Sequence, residues 1–294
     1  FIIGILNKLG LNKNLSAVYF WCPLIIKETF NSTHLDIIGI SLLCGSIYFL
    51  VHHRHTQATF FLALGFLGKL YPAILLPLFL QACFQDSQQK GKNPWLAPAL
   101  NTLFFVGIVI LGYLPFMGIG LHMFDGLKAY SLYWQSNDSI FACLLFFFKN
   151  LPGDLSNITF LSNSLPVFLS KLTVVCILMG VLIKLLLKNI SLIKDPQNLL
   201  KQFFILMALV FLLSPIQNPW YLCWVVPFLC FFPSRSWILL TGLVGLYYLD
   251  FYFDYQEIQS WSPWIPWVEY LPFYVLLILE FRNKNKVLGK EKNN

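Results

Sequence analysis

Charge is scarce in this sequence. Only 11% of the residues are Asp, Glu, Lys or Arg, against roughly 25% in soluble domains. With 57% hydrophobic residues and a mean hydropathy of +0.68, that shortage excludes a solvated surface over most of the chain. Strict alternation of apolar and polar residues is also missing, which argues against a transmembrane β-barrel. No G-x-S-x-G, Walker A, G-x-G-x-x-G or H-E-x-x-H pattern occurs, so the cofactor and hydrolase sites of soluble enzymes have no visible counterpart. The seven Cys are odd in number, lack C-x-x-C spacing and lie in or beside apolar runs. They read as small packing residues, with neither a disulfide framework nor a metal site.

What is present is a series of about 8–10 apolar segments, several near the 20 residues that span a bilayer. The expectation is an all-α, polytopic helical membrane protein, a single transmembrane domain over 1–294 with a basic tail at 282–294 and several short or broken spans. Phe1 to Leu6 reads as the tail of a span, and further spans and an outer loop are expected to precede it.

Cations and acids separate when assigned to alternating sides. Lys8, Lys13, Arg54, Lys90, Lys92, Lys184, Lys188, Lys194, Lys201, Arg235, Arg282, Lys284, Lys286, Lys290 and Lys292 fall on one side, 15 of the 20 cations. Nine of the 13 acids fall on the other. The positive-inside rule makes the first side cytoplasmic, with the C-terminus on it. The net charge of +7 therefore reflects topology, and nucleic acid is not an expected partner. Trp261, Trp264 and Trp267 fall where an outer aromatic belt would lie.

Four irregular segments gather on the outer side: Lys27 to Asp36, Lys69 to Pro72, Gly118 to Asn163, and Ser214 to Tyr221. The run FFLALGFLGKLYPAILLPLFL from Phe60 to Leu80 carries Lys69 and Pro72 in its middle. Pro72 disfavours helix at Tyr71, so two half-helices are expected around Lys69. Such breaks occur where backbone lines a cavity. Lys69 suits a phosphate as a point charge with three donors, or else snorkels to the interface.

Glu28, His34 and Asp36 lie within nine residues. They could bind sugar, support a catalytic base or ligate Mg²⁺ or Mn²⁺. The alternative is a solvated loop in which Ser32 or Thr33 caps the next helix. Tyr130, Tyr133, Trp134, Asn137 and Asp138 suit sugar or prenyl surfaces, or an interfacial amphipathic helix. Gln217, Asn218, Trp220 and Tyr221 sit in a turn fixed by Pro215 and Pro219, read as a binding turn or an ordinary hairpin. His52, His53 and His55 are read as an interfacial turn rather than metal ligands. Asp250, Asp254 and Glu257 are read as solvated loop acids, and Asn31, Asn137 and Asn157 open N-x-S/T triplets.

Together these segments resemble the GT-C glycosyltransferases, in particular bacterial polyprenol-phosphate-mannose-dependent mannosyltransferases. WCPLIIKETFNSTHLD resembles the family's W-N-P-L-x-I-x-E and G-H-x-D, and FLALGFLGKLYPAILLPLFL its K-x-x-P-x-x-x-x-P. YLPF and GLKAYSLYWQSNDSIF resemble its l-P-F and W-x-x-N-x-S, and SPIQNPWYLCWVVPFL its S-P-x-x-H-P-W-Y-L-x-W-x-x-P. Cys22 stands where the family has Asn, and Asn218 where it has His. The resemblance implies a multi-pass inner-membrane enzyme that moves a hexose, mannose above all, from a polyprenyl-phosphate donor to a lipid or glycan acceptor, with inversion. Its principal acid is expected upstream of Phe1, with Glu28, His34 and Asp36 in support. Lys69 and Tyr71 are expected at the donor phosphate, and Trp134, Asn137, Asn218, Trp220 and Tyr221 at substrate. A transporter or flippase for lipid-linked sugars, or a glycan ligase, is the alternative.

Overall fold

The computed structural model describes residues 1–152, 158–160, 163–188, 195–258 and 262–291. Within them the chain is helical nearly throughout, which establishes the all-α, polytopic architecture. It begins with α1 (Ile2–Lys8), α2 (Ala17–Phe20), α3 (Pro23–Ile26) and a π turn at Lys27–Asn31, and continues with α4 (Asp36–Val51) and α5 (His55–Gly68). A 3-10 turn at Tyr71–Leu75 leads to α6 (Leu76–Gln89), then α7 (Leu96–Tyr113), a second 3-10 stretch, α8 (Asp125–Tyr133) and α9 (Ile140–Lys149). A two-residue antiparallel pair, Thr159–Phe160 with Asn163–Ser164, precedes α10 (Leu165–Leu187). The remainder is α11 (Pro196–Leu213), α12 (Pro219–Leu222), α13 (Val226–Leu229), α14 (Arg235–Leu243), α15 (Tyr247–Tyr255) and α16 (Ile265–Glu291).

Four described stretches are long and apolar enough to cross a membrane: Leu96–Tyr133, Leu165–Leu187, Pro196–Leu213 and Arg235–Tyr255. On α7, Leu100, Leu103, Val106, Ile110 and Leu111 are all exposed. An apolar helix with its outer face bare is what lipid contact requires. The chain is thus a membrane protein by its own surface.

The centre has the opposite character. Every residue from Tyr221 to Phe231 is buried, although the backbone there is only two one-turn helices, α12 and α13, each carrying Pro in its first turn. Pro removes a donor and breaks the helix. In a bilayer such backbone persists only inside a coat of protein, here given by α2, α3, α11 and α14. The sequence-level expectation of a broken pair around SPIQNPW holds.

The break near Lys69 also holds, one step earlier than Pro72 alone suggests. α5 stops at Gly68 and Lys69 itself is extended, with φ −163° and ψ 142°. Tyr71 already belongs to the 3-10 turn, and Pro77 sits in the first turn of α6.

Other expectations change. Neither Ser32 nor Thr33 caps α4. The residue before that helix is Leu35, which makes no side-chain cap, while Ser32 Oγ accepts from Lys27 Nζ and Thr33 donates to the Ser32 carbonyl. Asp250 and Asp254 lie on α15 rather than in a loop. Trp264 and Trp267 are exposed near the start of α16. Trp261, Asn157, Lys194 and Lys292 lie outside the described residues.

Candidate functional site at the Lys69 break

Because α5 ends at Gly68, the extended Lys69 points its ammonium back across α4. Lys69 Nζ lies 2.6 Å from Asp36 Oδ1, at the first residue of that helix. The same oxygen accepts a hydrogen bond from Trp224 Nε1, also at 2.6 Å. Asp36 is buried and Trp224 fully so. The indole reaches the carboxylate because α4 carries glycine one turn on: a Cβ at Gly39 would lie 2.6 Å from the Trp224 ring. Lys69 Nζ also sits 4.1 Å from the centroid of the Tyr221 ring, a cation–π geometry. Tyr71 stacks on Tyr221 and on Trp224, with centroids 5.5 and 5.7 Å apart, and the Tyr130 hydroxyl donates to that of Tyr221. A buried carboxylate is thus neutralised by one cation held in an aromatic frame, as a charge at membrane depth must be.

A second group forms beside it. Glu28, on the π turn, is buried at 3% exposure. His34 Nδ1 lies 2.9 Å from its Oε2, the Tyr248 hydroxyl donates to its Oε1 at 2.8 Å, and Lys27 Nζ is 3.2 Å away. The His34 ring stacks on Trp220 at 4.3 Å with 19° between planes. Glu28, His34 and Asp36 line one cavity with Cys223, of about 10 Å³, the lower limit for holding one water. Nearby, Asn218 is buried and its Oδ1 has no hydrogen-bond partner, an arrangement costing about 1–3 kcal/mol unless a polar group supplies the bond. A carboxylate behind an imidazole can accept a proton, and a cation beside it can stabilise a developing anion.

Three of the outer segments therefore converge with Tyr130 of the fourth. Ser136, Asn137 and Ser139 of that fourth segment bond the Ser214–Tyr221 turn instead of the Asp36–Lys69 pair. Asn137, with φ 53°, donates to Glu269 Oε2 at 2.8 Å and to the Gln217 carbonyl. Ser136 pairs with the Pro215–Gln217 segment through two backbone bonds, and Ser139 binds Gln217 Oε1 and the Tyr274 hydroxyl. Asn137, expected at substrate, and the fully buried Gln217 thus hold two loops together. Trp134 is 55% exposed and touches Tyr130 of the cluster. Asp138 lies in the same loop with its pKa raised to about 6, chiefly by desolvation.

Glu28, His34 and Asp36, read as possible Mg²⁺ or Mn²⁺ ligands, are not a group whose ligand atoms gather within 4.8 Å of one another among the described residues. Asp36 Oδ1 is already shared by Lys69 and Trp224, and Glu28 is surrounded by Lys27, His34 and Tyr248. Among the described residues, the group whose ligand atoms do gather is His53, His55 and Asp86. Sequence reasoning missed Trp224, Tyr248 and Glu269 as partners. Trp224 stands inside the quoted SPIQNPWYLCWVVPFL segment, so its signal was present. Nothing local marks Tyr248 or Glu269, which act at separations of 220 and 132 residues. No protein-family model, curated protein or solved structure matches this chain.

Proposed function

We propose that this membrane protein is a glycosyltransferase that moves a hexose, mannose foremost, from a polyprenyl-phosphate donor to a lipid or glycan acceptor at the extracytoplasmic face. The observation that carries this reading is convergence: Glu28, His34 and Asp36, then Lys69 and Tyr71, then Trp220, Tyr221 and Trp224 come from three distant segments and meet at one break in the helices. Those segments are the ones whose residues resemble the GT-C pattern. In the proposed reaction the leaving group is the polyprenyl phosphate. Lys69 uses one of its three N–H groups on Asp36 and keeps others for that phosphate, where charge develops. Glu28 and His34 orient the acceptor hydroxyl, in support of the principal acid that the resemblance implies and that takes its proton, Trp220 offers a flat face to the sugar, and a single displacement inverts the anomeric carbon.

The test is transfer of radiolabel from polyprenyl-phosphate [¹⁴C]mannose in native membranes of cells carrying the protein, compared with cells carrying Lys69→Met/Asp36→Asn. The double variant removes both charges together, so no buried ion is stranded. Label should reach a new glycan or lipid with the unaltered protein and fall at least 100-fold with the variant. Donor that crosses the membrane without being cleaved would instead indicate a transporter, and equal transfer by both proteins would refute the role of Lys69.

A further inference from the structure

At the other end of α5, about 20 Å from Lys69 by the rise of a 14-residue helix, three ligand-bearing side chains meet. His53 lies in the turn between α4 and α5, His55 opens α5, and Asp86 comes from α6. One ligand atom from each lies within 4.8 Å of the other two. His55 Nε2 is 2.7 Å from Asp86 Oδ2 and His53 Nδ1 is 3.2 Å from Asp86 Oδ1. Asp86 is buried at 3% exposure. The second pair faces without making a hydrogen bond: His53 Nδ1 and Asp86 Oδ1 are both buried without one.

The backbone is bent to this arrangement. His53 has φ 59°, and its N–H bonds the Leu50 carbonyl while that of Arg54 bonds Phe49, a helix-ending turn whose left-handed position normally takes Gly or Asn. A His there carries the strain of a side chain with φ above zero. Its gain is the direction of the imidazole, which crosses to α6. Strain of this kind collects at functional sites.

We propose that His53, His55 and Asp86 form a binding site for a divalent transition metal of the Zn²⁺ or Co²⁺ class. Two imidazoles and one carboxylate are ligands these ions favour. Metal–ligand bonds of about 2.0–2.2 Å place tetrahedral ligands roughly 3.3 Å apart, so the three atoms need move only by tenths of an ångström to about 1 Å. Lys90 Nζ now sits 2.6 Å from Asp86 Oδ2 and is 46% exposed, so it can swing into solvent as the cation replaces it. The bound ion would clasp the α4–α5 turn to α6.

The test uses the full chain, purified in detergent without a histidine tag, titrated with Zn²⁺ by calorimetry and with Co²⁺ by visible absorption. One ion per chain, tetrahedral Co²⁺ bands and a raised melting temperature are expected. His55→Gln and His53→Asn, the latter chosen because Asn tolerates the left-handed turn, should each weaken binding at least 10-fold while circular dichroism stays unchanged. His52→Gln should bind as the parent does, because the His52 ring is bonded to the Tyr48 carbonyl instead. Absence of stoichiometric binding by the parent chain overturns the proposal, as does binding that survives in the His53→Asn/His55→Gln double variant.

Discussion

Gly39 controls whether Trp224 can reach Asp36, and replacing it with Ala gives a sharp test of the site's construction. Two effects compete. Ala in place of a mid-helix Gly gains about 1 kcal/mol of helix propensity. At position 39, though, the new methyl would sit 2.6 Å from a fully buried indole, and overpacking of that kind costs about 1–3 kcal/mol. Gly107 on α7 isolates the first effect, since nothing lies within 4 Å of a Cβ placed there. The two variants share the propensity gain, so Gly39→Ala should be less stable than Gly107→Ala by about 1–3 kcal/mol. Reversible unfolding in mixed micelles, followed by far-ultraviolet circular dichroism, measures both. A cycle with Trp224→Leu localises the clash, because the smaller side chain makes room and a coupling of about 0.5–3 kcal/mol should appear. If Gly39→Ala proves as stable as Gly107→Ala, or no coupling to Trp224 is found, the close contact that aims the indole at Asp36 is wrong.

Lys69→Met alone should destabilise the chain by about 3–5 kcal/mol, because it leaves the buried Asp36 without its cation; most of that loss should return in Lys69→Met/Asp36→Asn, read by the same unfolding assay. Asp138 predicts a pH dependence. Its pKa is raised to about 6 in the fold, so the folded state holds this proton more tightly than the unfolded one. Its contribution is fully present below the ordinary Asp value of about 3.9 and is lost as pH rises through about 6. Asp138→Asn should flatten the fall in melting temperature across that window, and an unchanged slope would show that Asp138 is not desolvated.

The fold was legible where a rule is local. Continuous apolar runs and scarce charge specify membrane helices, and Pro72, Pro77, Pro219 and Pro227 mark the breaks because a missing N–H acts within one turn. The candidate-site residues Glu28, His34, Asp36, Lys69, Tyr71, Trp220 and Tyr221 sit at those breaks, and they do meet. Roles decided by distant partners could not be read. Asn137 reads as a sugar-binding amide, and its bond to Glu269, 132 residues on, has no local signal. The His53–His55 turn looks like an interfacial loop until α6 brings up Asp86. Lys69 reads as a phosphate ligand or a snorkelling cation, and only the packing of α5 against α4 shows that Asp36 answers it.

The separation between partners also sets an order of events during synthesis. Asp36 waits 188 residues for Trp224, and Glu28 waits 220 for Tyr248. At about 5–20 residues per second, the second interval is roughly 10–45 s. Throughout it, Glu28 and Asp36 are carboxylates at the edge of a nascent membrane segment with only local cations for company. Lys27 is at hand from the start, and Lys69 arrives soon after, at the end of α5, the other arm of the α4–α5 pair. A nascent chain that lost Lys69 would hold an unanswered charge through most of its insertion, so the cation at the break also acts as a chaperone for its own carboxylate.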